Sequence, residues 1–134
     1  MNTSNVPVQV SGLTGVVAIA ESFEHSLALK SDGTAWGWGT NGYGELGNGS
    51  PQLSGFVQTP VMATVHNVVA IAAGASHSLW LRSDGTVWAV GYGGDGALGT
   101  GNFNDSTTPV RVPSLSGVSS IAAGHSHSLA IKSR

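Results

Sequence analysis

Along the chain the apolar positions gather into short runs, four to seven residues long, rich in Val, Ile, Leu and Trp and bounded by Gly, Pro, Asp and Ser. Runs of that length with that punctuation predict β-strands. From His77 the run alternates: His77, Leu79 and Leu81 share one face, Ser78, Trp80 and Arg82 the other. Because the second face carries Trp80 it is not simply solvated, and a sheet packed on both sides is expected. No stretch sustains a 3.6-residue apolar period, so no helix longer than a turn is predicted. Asp32-Gly33 and Asp84-Gly85 each stand between two runs. They predict hairpins closed by type I′ turns, which need positive φ at both central residues.

The runs recur. His25-Ser26-Leu27-Ala28-Leu29-Lys30-Ser31-Asp32-Gly33-Thr34-Ala35-Trp36 returns 52 residues later as His77-Ser78-Leu79-Trp80-Leu81-Arg82-Ser83-Asp84-Gly85-Thr86-Val87-Trp88. A third copy begins at His127-Ser128-Leu129. Val16-Val17-Ala18-Ile19-Ala20 matches Val68 to Ala72 and Val118 to Ala122, and Pro7-Val8 matches Pro60-Val61 and Pro109-Val110. Gly44-Glu45-Leu46-Gly47 pairs with Gly96-Ala97-Leu98-Gly99. Each repeat of about 50 residues holds four strands: a small-residue run (a), the His-Ser-Leu run (b), the run after Asp-Gly (c) and the Pro-Val run (d). The chain therefore reads d, abcd, abcd, ab, eleven strands in all. A lone four-stranded sheet cannot bury both faces, so such units stack, and radial stacking gives a propeller. The small residues of strand a suit the crowded axis. The expected fold is all-β, with blades of four antiparallel strands in a partial propeller. Residues 1–134 form one repeat domain, divided near 7–59, 60–108 and 109–134.

Composition narrows the function. A chain of 134 residues allows one domain. Charged residues are 9%, far below the roughly 25% of an ordinary soluble domain, and 20 glycines are about twice the usual share. A net charge of −2 leaves no basic surplus for phosphates, so no nucleic-acid partner is expected. The longest apolar run, Val68 to Ala75, falls well short of the 18 or so residues of a membrane span. Met1 to Val6 has no secretory-signal pattern, so a soluble chain is expected, with no compartment assigned. The absence of cysteine removes disulfides and thiolate chemistry.

Ala72-Ala73-Gly74-Ala75-Ser76-His77-Ser78-Leu79, Asp84-Gly85-Thr86-Val87-Trp88-Ala89 and Gly96-Ala97-Leu98-Gly99 resemble the repeat of the regulator of chromosome condensation family over about residues 7 to 134. The resemblance implies a β-propeller, seven-bladed in the family, of which two complete repeats and part of a third are present. It also implies protein binding through loops on a propeller face, since members include nucleotide-exchange factors and enzyme inhibitors. Repeat one departs from the pattern: Ser22 stands where repeats two and three have Gly74 and Gly124. Gly93 stands at the position of Asn41, and the third repeat lacks strand c. No exchange residues are carried over.

Five histidines raise a metal or catalytic possibility. His25, His77 and His127 recur at one position per repeat, so they are read as structural residues bonded near the following turn. His125 and His127 have a spacing open to chelation, but no third ligand is near in sequence, and neither metal nor cofactor is expected. Ser26, Ser78 and Ser128 follow a His, yet neighbours on a strand point to opposite faces and cannot form a nucleophile-base pair within one repeat. Asp32, Gly33, Asp84 and Gly85 are read as turn formers. Gly74 and Gly124 are expected to need positive φ or a close backbone approach. Trp36, Trp38, Trp80 and Trp88 are assigned to interblade packing. Tyr43, Tyr92, Phe23, Phe56 and Phe103 remain as a loop contact surface.

These features describe a non-enzymatic propeller fragment that closes into a ring with itself and offers loops to another protein. A dimer of six blades is favoured over a trimer of nine, because propellers have 4 to 8. The rival is a lectin-like propeller that stacks aromatic side chains on sugars.

Overall fold

Ten strands are present among residues 13–22, 24–49, 56–94, 96–101, 104–113 and 115–132, the residues described by a computed structural model of the chain. Blade one has the order β1 (Val16–Glu21), β2 (His25–Lys30), β3 (Ala35–Thr40) and β4 (Phe56–Met62). Blade two repeats it with β5 (Val68–Ala73), β6 (His77–Arg82), β7 (Val87–Gly91) and β8 (Ser106–Arg111). A half-blade pairs β9 (Val118–Ala123) with β10 (Ser128–Lys132). All neighbouring strands are antiparallel. The eleventh expected strand, Pro7 to Val10, lies outside the described residues.

The registers are superimposable between blades. Ala28 faces Trp36 as Trp80 faces Trp88, and β1, β5 and β9 each carry a register irregularity near their first residue. β5 packs beside both β1 and β9, so the first strands converge, as their small side chains permit. β5 and β9 are also tied to the preceding blade, with the Val68 amide donating to Gly33 O at 2.9 Å and the Val118 amide to Gly85 O at 3.1 Å.

The b–c turns differ from the expected type. Gly33 has φ +85° and Gly85 has φ +81°, but neither Asp32 nor Asp84 is left-handed. Gly33 N–H donates to Lys30 O and Lys30 N–H to Thr34 O, with Gly85, Arg82 and Thr86 in the same relation. That is a three-residue hairpin with a left-handed glycine bulge rather than a type I′ turn. Each Asp instead folds the loop from its side chain. Asp32 Oδ1 accepts from the Thr34 amide at 3.0 Å and hydroxyl at 2.6 Å, and Asp84 Oδ1 does the same for Thr86. These bonds hold both carboxyls below the usual carboxylate range.

The core lies between blades. Leu29, Ala35, Ala63 and Val65 of blade one meet Val68, Trp80 and Val90 of blade two. Leu79, Leu81, Val87 and Ala89 meet Val118, Ile121 and Ala123 of the half-blade. Trp80 is fully buried, its indole against Gly47 of the preceding blade. Trp36, Trp38 and Trp88 are only half-buried. Lys30 and Arg82 lie over Trp36 and Trp88 at 5.5 and 5.9 Å from the ring centroids.

Candidate functional site

Two groups of side chains combine position with chemistry: the repeated His and Ser of the b strands, and the aromatic residues of the loops. The alternation that separates His from Ser within a strand aims them at different neighbours. His25 on β2 points toward blade two, where its Nε2 lies 2.8 Å from Ser78 Oγ. Ser78 Oγ in turn donates to Glu45 O at 2.6 Å. One blade further, His77 Nε2 lies 3.0 Å from Ser128 Oγ, which donates to Ala97 O at 2.7 Å.

The proton positions follow from this pattern. Each serine has one proton and spends it on a carbonyl, so its oxygen must accept from the histidine. Nε2 therefore carries the hydrogen, and the ring is neutral with Nδ1 as acceptor. Burial agrees: it depresses the His25 pKa to about 4, with the nearby His77 adding to the effect, and burial likewise lowers His77. Chemically this is a latch between blades. A serine nucleophile needs its base to accept the hydroxyl proton, and here the histidine donates.

Gly74 and Gly124 serve the same histidines, by close approach. Neither has positive φ. A Cβ at Gly74 would collide with the His77 ring, and one at Gly124 with the His127 ring. Repeat one solves the position differently. Ser22 Oγ lies 3.0 Å from His25 Nδ1 and 3.2 Å from His25 O, so its one proton has both the ring nitrogen and the carbonyl as acceptors.

His127 is exposed and precedes β10 rather than opening it. His25 and His77 pair with Gly39 and Gly91 on the following c strand, and the half-blade offers no such strand among the described residues. His125 is exposed too, and its carbonyl accepts from the Ala75 amide at 3.1 Å. Among the described residues no three His, Asp or Glu side chains group as metal ligands.

The a–b turns and c–d loops lie at the same end of both blades, as the antiparallel strand order requires. Tyr43 and Tyr92 come from the loops of different blades and from non-equivalent repeat positions, yet their ring centroids are 5.2 Å apart at 53°. They are 43% and 38% exposed. Phe56 is exposed at the same end, where β4 begins opposite Thr40. Phe23 and Phe103 lie outside the described residues. Beneath the pair, Glu45 is buried with its carboxylate accepting from the Tyr43 amide at 3.2 Å. Burial raises its pKa against the pull of the backbone bonds. Asn41 Oδ1 accepts from the Leu46 amide at 3.0 Å. In blade two the corresponding Gly93 is instead held by Asp105, whose Oδ1 accepts the glycine amide at 2.9 Å.

The interblade pairing of His with Ser was missed by reasoning inside one repeat. The signal was present, since both residues recur together at all three positions and only the step to the neighbouring blade was lacking.

Stacked four-stranded blades joined through a repeated interface define the β-propeller class. Within it the chain belongs to the regulator of chromosome condensation (RCC1) repeat family, whose models match residues 32–81 and 84–131, and also 16–45 and 68–97. It is 35% identical over 131 residues to the RCC1 domain-containing protein RUG3, mitochondrial, of Arabidopsis thaliana, covering 95% of this chain and 29% of that one. It is 34% identical over 128 residues to the probable E3 ubiquitin-protein ligase HERC3 of Homo sapiens, covering 92% of this chain and 12% of that one. Among solved structures, yeast RCC1 (Prp20) bound to Kap60 superposes with a TM-score of 0.76 at 29% identity, over 90% of this chain and 31% of the other. Human WBSCR16 gives 0.76 at 25% identity, over 88% and 31%. The chain thus spans less than a third of the relatives and about a third of the structures it matches.

Proposed function

We propose that the chain is a non-enzymatic protein-interaction unit: its blades close into a ring with a second copy, and the loop end around Tyr43, Tyr92 and Phe56 contacts a partner protein. The observation that carries this is the exposed tyrosine pair, built by two blades and held from below by buried Glu45. Tyrosine on a rigid support presents large contact area at small entropic cost. The likeness to yeast RCC1, solved with Kap60 bound, adds that a member of this family binds another protein. A non-enzymatic role is supported by the use of His25, Ser78, His77 and Ser128 as latches. No finding favours the carbohydrate-binding alternative.

Selection of a random peptide library against the chain tests the contact surface. Selected peptides should bind Tyr43→Ser/Tyr92→Ser at least about tenfold more weakly, with the melting curve of the variant unchanged. Peptides indifferent to both substitutions would overturn the assignment. Light scattering tests closure. A dimer at twice the 13.5 kDa chain mass is expected; a trimer would keep the assembly and overturn six blades.

A further inference from the structure

The two internal interfaces use two of the three His and two of the three Ser at the latch positions. His25 is joined to Ser78 and His77 to Ser128. His127 and Ser26 are left over, and neither side chain has a hydrogen-bond partner among the described residues. They lie on opposite outer faces of the stack.

Those faces are incomplete copies of the interfaces inside it. On the half-blade, Leu129 and Ile131 are 60% and 62% exposed, although their equivalents Leu27, Leu29, Leu79 and Leu81 are all buried. On blade one, Ile19 is 67% exposed, while its equivalent Ile71 packs into the core between blades. Blade one also has Ala28 where blade two inserts Trp80, and beside it opens a groove of about 290 Å³ lined by Leu13, Val16, Ile19, Ala28 and Trp38. An apolar knob face and an apolar groove face, each the repeat-equivalent of a surface already paired within the chain, are complementary by construction.

We infer that a second copy of this chain covers the open face of blade one with its β9–β10 face, seating Leu129 and Ile131 in the groove and joining His127 to Ser26 of the partner subunit as a third latch. The inference rests on the assembly reading above and specifies its interface. The contact is head to tail, so a closed ring uses it once per chain. It leaves the loop end around Tyr43 and Tyr92 free.

The chain has no cysteine, so single cysteines are addressed specifically. Equimolar His127→Cys and Ser26→Cys chains, treated with a short bismaleimide, should give a cross-linked dimer. Each variant alone should give little, because a head-to-tail contact brings unlike positions together. Light scattering on Leu129→Glu should show a shift toward monomer, with dissociation at least about tenfold easier. Its near-ultraviolet spectrum should match the native chain, since Leu129 is exposed there. Native assembly with no mixed cross-link and no effect of Leu129→Glu would overturn this interface while leaving self-assembly standing. A native chain that is monomeric at micromolar concentration would overturn both. A cross-link as strong in either single variant as in the mixture would show a two-fold face-to-face contact and overturn the direction inferred.

Discussion

Blades one and two share strand order, register and turn geometry, but they fill their equivalent faces in different ways. Blade two presents Trp80 from β6 with the smaller Val90 on β7, both fully buried against blade one. Blade one presents Ala28 from β2 with Trp38 on β3, and Trp38 stays half-buried beside an open groove. The bulk has moved from one strand to the next, which a packed interface tolerates where total volume is kept. Ala28 is fully buried even on the open face, while the larger Trp38 is not, so it is for large side chains that burial here depends on the neighbouring blade. A tryptophan is core in this fold only where another blade stands on it.

The largest expected effect tests that directly. Trp80→Ala removes the side chain that fills the space between blades and should cost about 3–5 kcal/mol. Trp38→Ala on the open face should cost only about 1 kcal/mol, the value of a partly exposed ring. Urea unfolding of both variants in dilute, monomeric conditions measures the gap. Equal losses would mean that the two blades are not distinguished by their neighbours.

The latch histidines give the next effect. His25 is folded with a pKa of about 4 against 6.5 when unfolded, and His77 is lowered in the same direction. Between those values the unfolded chain binds protons that the folded chain refuses, so stability falls as the pH drops from about 6.5 toward 4. It is fully present above 6.5. His25 alone contributes on the order of 3 kcal/mol to that fall. His25→Gln should flatten the curve, and a wild-type profile without slope in that window would rule the neutral latch out.

Much of this was legible before the fold was known, for particular reasons. The Val68 to Ala73 and His77 to Leu81 runs matched β5 and β6 because apolar alternation and the flanking turns coincide there. The Asp-Gly pairs located the hairpins but not their type, since Asp32 and Asp84 act through side-chain bonds to Thr34 and Thr86 rather than through a left-handed backbone. The latches were signalled only by the joint recurrence of His and Ser, without their partners, and the Tyr43–Tyr92 contact was not legible at all. Both are made between repeats, and spacing inside a repeat carries no information about which side chains meet across blades.

The turn before β6 sharpens the comparison at smaller scale. Gly74→Val should cost about 1–3 kcal/mol, because the new side chain displaces the buried His77 ring and with it the bond to Ser128. Gly124→Val should sit at or below the lower end, since His127 is exposed and free to turn away. Thermal melts of the two variants in the same dilute, monomeric conditions, where His127 has no partner subunit, test the order. Equal shifts would place the requirement in the backbone rather than in the ring.

The smallest effect separates two solutions to one structural problem. Ser22 fills the position that Gly74 leaves empty, and its hydroxyl reaches His25 Nδ1, the acceptor of the Nε2–H tautomer. Ser22→Gly gives repeat one the pattern of the other two and removes that bond, at a cost of about 0.5–1.5 kcal/mol. The reverse change, Gly74→Ser, should be worse and not better, because the His77 ring already occupies the volume a Cβ needs. The exchange is therefore not symmetric: both turns keep the same backbone bond, Ser22 N–H to His25 O at 3.0 Å and Gly74 N–H to His77 O at 2.9 Å, but in repeat two the histidine ring lies where the side chain would go. Denaturant midpoints for Ser22→Gly, Gly74→Ser and the double variant decide it. If the double variant matched the wild type, the two turns would be interchangeable, and the serine would be a neutral substitution rather than part of the first latch.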